Sequence, residues 1–259
     1  MVGGFVYLTP DEQEVCDVLP SGELISSLEV NRVFGKRFPR TRVSSLLSRL
    51  VDKGKLVKAR NGAYYVGRKT DAFFDYKFGL ALAGRGAYLA FASALSFHHL
   101  ITEKPGTVFV ACFNKSRARE FGGRNYRVIA LGRKCIGFKT INGVAVSTIP
   151  KTLFDCFLHP GFCGGLTGVV EALESSKLSA ADWMEFEGYL NDFASNALKQ
   201  RVGFIVDSMQ GELKPPAAFL KRLKKSVSDS RTVCILEPFI KRRGRFNGVW
   251  RVLVNKEVV

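Results

Sequence analysis

Residues 38–67 restrict the fold of this chain more than any other part of its sequence. Four apolar residues follow the i, i+3, i+4, i+7 spacing of a helix that buries one face: Val43, Leu46, Leu47 and Leu50. Gly54 is placed to end this helix, because glycine adopts the left-handed conformation common at helix C-termini. Asn61-Gly62 then separates two short strand-like runs, as a two-residue hairpin turn does. The stretch predicts a helix followed by a β-hairpin.

The residues before this stretch predict further helices. Thr9 offers a hydroxyl cap, Pro10 suits the first helical position, and Glu12 lies three residues after the cap. More apolar groups occupy residues 24–34. Three helices and a hairpin in this order predict a winged helix-turn-helix domain over residues 1–68. The alternative is an ordinary amphipathic helix followed by a surface hairpin.

The outward side of the predicted third helix carries hydroxyl and guanidinium groups, which suit close approach to a DNA major groove. The residues predicted to meet the groove are Thr41, Arg42, Ser44, Ser45, Ser48 and Arg49. Those predicted to meet backbone phosphate are Arg40, Lys53, Lys58, Arg60 and Asn61.

The overall charge also favours a polyanionic partner. The 259 residues include 39 Lys and Arg against 23 Asp and Glu, which gives a formal net charge of +16. Two loops in the later part of the chain are predicted to form a second basic patch. Its residues are Lys115, Arg117, Arg119, Lys241, Arg242, Arg243 and Arg245. Solvated surface charge that binds nothing is the alternative for both loops.

The rest of the sequence predicts an α+β fold, in which the winged helix-turn-helix precedes a mixed α/β C-terminal domain. Residues 69–86 contain several aromatics and are predicted to be a connector that packs against one or both domains. The C-terminal domain is assigned to residues 87–259. It is expected to begin with a helix over 88–100, followed by strands within 108–147 and helices between 150 and 209.

The sequence contains no pattern that predicts an enzyme, a metal site or a cofactor. Adjacent helical residues point about 100° apart, so His98 and His99 suit helix-end packing better than a shared metal ion. Asp155 follows Lys151 at i, i+4 spacing, which predicts a surface ion pair. The six cysteines lack a C-x-x-C pair and are expected to be reduced and mostly buried. Without a long apolar run or a signal-peptide pattern, we expect a cytoplasmic protein that does not enter a membrane.

Several segments, in order along the chain, resemble the AbiEi-like antitoxins of type IV abortive-infection toxin–antitoxin systems and related predicted regulators of viral defence. They are residues 62–66, 88–100, 144–155, 201–205 and 250–255. Family members often carry His-Gly-Leu where this chain has His98-His99-Leu100. The resemblance implies a DNA-binding N-terminal domain that represses its own promoter at inverted repeats. It also implies a C-terminal domain that counteracts a nucleotidyltransferase toxin, which is a functional and not necessarily a physical partner.

The leading hypothesis is therefore a sequence-specific regulator that binds double-stranded DNA and acts as an autorepressing antitoxin. Two alternatives stay open. One is a DNA-processing enzyme, or a subunit of one, that the winged helix delivers to its substrate. The other is a structural adaptor that holds a protein partner through its C-terminal domain.

Overall fold

The computed structural model describes residues 7–66, 73–228, 230–237, 240–241 and 243–257. The chain forms two compact units that divide between Ala87 and Tyr88. The described residues combine helices with three sheets, so the architecture is mixed α+β. No helix in the described ranges is long and apolar enough to cross a membrane.

The first unit combines helices with a small antiparallel sheet. Its elements, in chain order, are α1 (Pro10–Val18), β1 (Leu24–Ser26), α2 (Ser27–Phe34), α3 (Arg40–Asp52), β2 (Leu56–Arg60), β3 (Ala63–Val66) and α4 (Phe74–Ala83). Strand β3 lies between β1 and β2 and pairs antiparallel with both. Gly62 has a φ of 73° in the turn between β2 and β3, a left-handed conformation that favours glycine.

Local hydrogen bonds fix the starts of α1 and α2. The backbone N–H of Thr9 donates to Glu12 Oε2 at 2.7 Å, and the N–H of Glu12 donates to Thr9 Oγ1 at 3.4 Å. Ser26 and Glu29 make the same reciprocal pair at α2. Each pair satisfies N–H groups that have no partner within the helix. The helix start predicted at Thr9 is confirmed.

The apolar stripe of α3 forms the centre of the first core. Its four residues are almost completely buried: Val43, Leu46, Leu47 and Leu50. They belong to one cluster with Val15 of α1 and Phe34 of α2. Burying one such side chain contributes about 1.5–3 kcal/mol relative to leaving it in water. Helix α3 is therefore held by its inward face, which leaves its outward face exposed.

Helix α4 lies in the segment predicted as a connector and packs on the sheet of the first unit. The rings of Tyr65 and Phe74 meet edge to face with centroids 5.0 Å apart. Lys77 Nζ donates to the carbonyl of Gly22 at 3.1 Å. Residues 69–72 of the same segment lie outside the described residues.

The second unit is larger and contains two sheets in its described residues. Its elements, in chain order, are β4 (Tyr88–Leu89), α5 (Phe91–Phe97), β5 (Thr107–Cys112), β6 (Arg117–Phe121), β7 (Arg124–Ala130), β8 (Phe138–Ile141), β9 (Val144–Ser147), α6 (Ile149–Leu158), α7 (Gly165–Ser176), α8 (Ala180–Phe193), α9 (Asn196–Ser208), α10 (Gln210–Leu213), α11 (Ala217–Val227), β10 (Cys234–Ile235), β11 (Arg245–Asn247) and β12 (Val252–Val254). One sheet has the strand order β6-β7-β5-β4-β9-β8, and the other has the order β10-β12-β11.

The single helix predicted over residues 88–100 is wrong at its start. Tyr88 and Leu89 form strand β4, where they pair with Ala111 and Val110 of β5. Helix α5 begins only at Phe91. The small residues of this segment favour a helix locally, but pairing with a buried strand overrides that preference.

The loop predicted around Arg117 and Arg119 is a second correction. Both residues lie in β6, which pairs antiparallel with β7. Gly122 and Gly123 connect the two strands, and both have positive φ. A Gly-Gly dipeptide between two strand-like runs is a hairpin signal, but β6 has no buried residue and three of its five residues are charged, which is also typical of a loop.

The second core includes a close contact between a glycine and a tryptophan. Gly203 of α9 faces the indole of Trp250, which is 2% exposed. A Cβ at Gly203 would lie 2.1 Å from Trp250 Cζ3. The indole N–H donates to Asp207 Oδ2 at 2.9 Å, which fixes the ring over the helix. Position 203 therefore has no room for a side chain.

We predict that Gly203→Ala destabilises the second unit by about 1–3 kcal/mol, because an overpacked core must move the indole or the helix. Gly188→Ala in α8 is the matched control, since a Cβ there would meet nothing within 4 Å. That variant should be neutral or gain about 0.5–1 kcal/mol of helix stability. Urea unfolding followed by tryptophan fluorescence measures both, because Trp183 and Trp250 belong to this unit. Equal stabilities of the two variants would contradict the packing argument.

Candidate nucleic-acid interface

The outward face of α3 is a polar, positively charged surface. Its exposed residues are Arg40, Thr41, Arg42, Ser44, Ser45 and Ser48, and Arg49 is partly exposed. The hydroxyl side chains are short, so another molecule can come close to the helix backbone, and the longer arginine side chains extend beyond them. This face can therefore approach a polyanion closely while offering donors to it.

The N-terminus of α3 adds backbone donors to the same face. Pro39 precedes the helix and provides no side-chain cap. The first N–H bonded within the helix is that of Val43, which donates to the Pro39 carbonyl at 3.1 Å. The N–H groups of Arg40, Thr41 and Arg42 have no hydrogen-bond partner among the described residues. Such N–H groups and the helix dipole favour a negative ligand at this end.

Three cations predicted to contact DNA form ion pairs with α1. Arg42 Nη2 lies 2.7 Å from Asp11 Oδ2, and Arg49 Nε lies 3.7 Å from Glu12 Oε1. Lys53 Nζ lies 2.6 Å from Glu12 Oε2. These pairs join α1 to α3 along its length, so the cations position the helix whatever else they bind. The sequence indicates Asp11 and Glu12 only as residues of a helix start. Their ion pairs with residues of α3 could not be predicted, because those residues are distant in the sequence.

Glu12 is the most constrained carboxylate of this surface. Its side chain is completely buried, and its Oε1 has no hydrogen-bond partner. Hydrogen bonds from Lys53 and then from the Thr9 backbone lower the pKa of Glu12 from 4.5 to about 2. The carboxylate thus stays ionised in the folded protein at pH values where a free glutamate is protonated.

We predict that the stability of the first unit depends on Glu12 in a defined pH window. The pKa is lower in the folded state, so the stabilisation is complete above about 4.5 and is lost as the pH falls towards about 2. Glu12→Gln should therefore destabilise the unit more at pH 6 than at pH 3. Urea unfolding followed by circular dichroism measures this difference, and Glu257→Gln at an exposed position is the control. A difference that does not depend on pH would remove Glu12 from this role.

The β2–β3 hairpin presents one unpaired cation and one anchored cation. Lys58 is exposed, and its side chain has no partner among the described residues. Arg60 Nε donates to the carbonyl of Ala81 at 3.2 Å, which ties the hairpin to α4. Asn61 is exposed at the turn. Of these residues, Lys58 is the one best placed to meet an external phosphate.

Basic residues of α2 and the following turn extend the positive surface beside α3. Arg32 and Lys36 are exposed and form no ion pair with a described residue, whereas Arg37 pairs with Glu14. A cleft of about 500 Å³ lies next to them. Its lining residues are Leu28, Asn31, Arg32, Gly35, Phe38, Pro39 and Arg40. Arg32 on α2 and Lys36 in the turn after it carry no sequence signal of this role, because the spacing of the apolar residues indicates only which side of the segment is buried.

The second basic patch is divided between the two sheets of the second unit. Arg117 and Arg119 lie on β6, and Lys115 precedes that strand. Lys241, Arg243 and Arg245 lie at or before β11 of the three-stranded sheet, and all three are exposed. Arg242 lies outside the described residues. The two groups thus belong to different sheets.

The ion pair predicted for the protein surface is buried instead. Lys151 and Asp155 are completely inaccessible to solvent and bond to each other, and Tyr88 OH completes a triangle with them. Lys151 Nζ donates to Tyr88 OH at 2.8 Å, and Tyr88 OH donates to Asp155 Oδ2 at 2.9 Å. Burial raises the pKa of Asp155 to about 6 and lowers the pKa of Lys151, because it disfavours both charges. Enclosure on all sides gives this triangle a structural role.

The histidines and cysteines have no shared site. His98 is the C-cap of α5, and its Nε2 lies 2.7 Å from the Ser147 carbonyl, which confirms the predicted helix-end position. All six cysteines are free thiols, and four are buried. Within the described ranges, no group of three or more His, Cys, Asp and Glu side chains could hold a metal ion.

Comparison with known proteins gives a structural relative. No protein-family model matches the sequence. No curated protein matches it either. The structure is similar to the crystal structure of the RV2827C protein from Mycobacterium tuberculosis, with a TM-score of 0.60 over 94% of this chain and 89% of that chain. The two sequences are 14% identical, so the similarity shows a shared fold.

Proposed function

We propose that the first unit is a winged helix-turn-helix domain that binds double-stranded DNA, and that the protein is a transcription regulator. The exposed face of α3 carries this proposal. It combines four hydroxyl side chains with Arg40 and Arg42, and it begins with unpaired backbone N–H groups. Helix α3 follows two helices and precedes a hairpin, which is the order of elements in a winged helix.

In the proposed complex α3 enters the major groove by its N-terminal half. Thr41, Ser44, Ser45 and Ser48 face the base edges, while Arg40 and Lys58 neutralise phosphates on either side. Arg42 can exchange Asp11 for a guanine at small cost, because an exposed ion pair contributes only about 0–1 kcal/mol. Arg49 and Lys53 remain with Glu12 and hold the helix in place.

We predict that changing both Arg40 and Lys58 to Ala lowers the slope of log affinity against log salt by about 1.8, at about 0.9 for each phosphate contact. Fluorescence anisotropy with a labelled 30-base-pair duplex, titrated at several salt concentrations, measures the slope. The control changes Lys224 and Lys225 of α11 to Ala, which removes equal charge from exposed positions of the second unit. An unchanged slope in the first variant, or an equal decrease in the control, would remove Arg40 and Lys58 from the interface.

We further propose that the regulator is a cytoplasmic antitoxin that represses its own promoter and counteracts a nucleotidyltransferase toxin. The sequence resemblance to AbiEi-like antitoxins supports this role. The proposal requires no stable complex between the two proteins, because the resemblance implies a functional partner.

The test of the antitoxin role uses the adjacent reading frame. If that frame encodes a nucleotidyltransferase that arrests growth, co-expression of this chain should restore growth. The Arg40→Ala, Lys58→Ala variant should rescue equally well from a foreign promoter and fail to repress the native one. Growth arrest that persists with the soluble wild-type chain would disprove the antitoxin role. Metal-dependent cleavage of plasmid DNA by the purified chain would favour a DNA-processing enzyme instead.

A further inference from the structure

The three-stranded sheet of the second unit has an apolar outer face. Phe246 of β11 and Ile235 of β10 are both register partners of Leu253 on the central strand β12, so their side chains share one side of the sheet. The opposite side carries Cys234 and Val252, which are buried in the core. Phe246 is 52% exposed, and the other two residues are partly exposed. An apolar row of this kind is unusual on a water-facing sheet.

Exposed cations lie on and next to the strands of this sheet. Its exposed basic residues are Arg231, Lys241, Arg243, Arg245 and Arg251. The side chains of Lys241, Arg243 and Arg245 form no ion pair or hydrogen bond with any described residue. Among the described residues from 230 to 257, Glu257 is the single exposed acidic residue, because Glu237 is buried. These five residues form a positive rim, in which Arg251 Nη2 donates to the Arg231 carbonyl at 3.1 Å and the other three side chains named above have no partner among the described residues.

Strand β11 is an edge of this sheet. It pairs with β12 on one side, and on its other side it has no strand partner among the described residues. An edge strand offers unpaired backbone N–H and C=O groups to another extended segment. A strand added beside β11 would lie along Arg245 and Phe246, whose side chains point to opposite sides of the sheet because neighbouring strand residues alternate.

We propose that this surface, comprising β11, Phe246, Leu253 and the basic rim, binds an acidic extended segment of a protein partner. The segment would pair with β11 by backbone hydrogen bonds, place an apolar side chain against Phe246 and Leu253, and place carboxylates beside Arg243 and Arg245. This combination of strand addition and side-chain pockets is a recurring mode of peptide recognition. The inference is independent of the DNA contacts assigned to the first unit.

The composition of the surface favours a protein over a nucleic acid. Single-stranded nucleic acids bind to platforms on which several aromatic rings stack with successive bases. Among the described residues of this face, Phe246 is the one exposed ring, and Ile235 and Leu253 beside it are aliphatic. Aliphatic surface gains most from burial against another apolar side chain. The positive rim then selects partners with acidic residues around that side chain.

A random 12-residue peptide library displayed on phage, selected on the immobilised full chain, tests the proposal. Selection should enrich peptides in which Asp or Glu flank an aliphatic or aromatic residue. The double variant Arg243→Glu, Arg245→Glu should bind an enriched synthetic peptide at least about 10-fold more weakly, as should Phe246→Ala, because interface anchors of this type dominate affinity. Fluorescence anisotropy gives the affinities, and thermal unfolding checks that the exposed substitutions leave the fold intact.

The matched control is Lys224→Glu, Lys225→Glu on α11, which makes the same charge change at exposed positions elsewhere in the unit. It should reduce peptide binding less than twofold. Failure to enrich acidic peptides would overturn the proposal, as would equal binding of such peptides to both double variants. The surface would be assigned to nucleic acid instead if the chain bound no peptide but bound a 12-nucleotide RNA, and if Arg243→Glu, Arg245→Glu abolished that RNA binding. The slope of log affinity for duplex DNA against log salt should stay unchanged in Arg243→Glu, Arg245→Glu. This result separates the peptide-binding test from the DNA-binding test.

Discussion

A buried carboxylate paired with a lysine organises each of the two units. In the first unit Glu12 holds Lys53 and thereby fixes α1 against α3. In the second, Asp155 holds Lys151 beneath the rings of Tyr88, Phe154 and Tyr189. Lys53 is partly exposed, whereas Lys151 and Asp155 are both fully buried, so removing one partner of the second pair costs about 3–5 kcal/mol because the remaining charge has no water around it. The two pairs thus join α1 to α3 in the first unit and α6 to β4 in the second.

These internal pairs also determine which cations can bind something else. If Lys53 left Glu12, the buried carboxylate would lose its paired lysine. Arg60 is held by its hydrogen bond to the Ala81 carbonyl of α4. Arg42 is different, because both it and Asp11 are in contact with water. Arg42 can therefore exchange Asp11 for another partner at little cost in free energy. The outward surface of α3 thus has a fixed part near its C-terminus and an adaptable part near its N-terminus. In the proposed DNA complex, the adaptable part is the one that can respond to base sequence.

The elements that carry the proposed interface were predictable because their signals are local. The apolar stripe of α3, the Thr9 cap and the Asn61-Gly62 turn each depend on residues within one or two turns of chain. The errors arose where distant residues decide the outcome. Glu12 and Lys53 are 41 positions apart, so no local pattern predicts that they pair. The strand pairing of Tyr88 also depends on residues distant in the sequence. The burial of Lys151 could not be predicted from its i, i+4 spacing with Asp155, because that spacing is the same on an exposed and on a buried helix face.

The distribution of paired acids explains how a chain with many carboxylates can present a positive surface. In the first unit Asp11, Glu12, Glu14 and Glu29 each lie against an arginine or lysine of the same unit. A close ion pair contributes little field at a distance, so the cations without partners dominate what an approaching polyanion experiences. Those cations, Arg32, Lys36, Arg40 and Lys58, lie on α2, in the turn that follows it, at the start of α3 and on the hairpin. Pairing of these four acids therefore reduces the negative charge that opposes the proposed DNA-binding surface, while Asp52 stays exposed at the C-terminal end of α3.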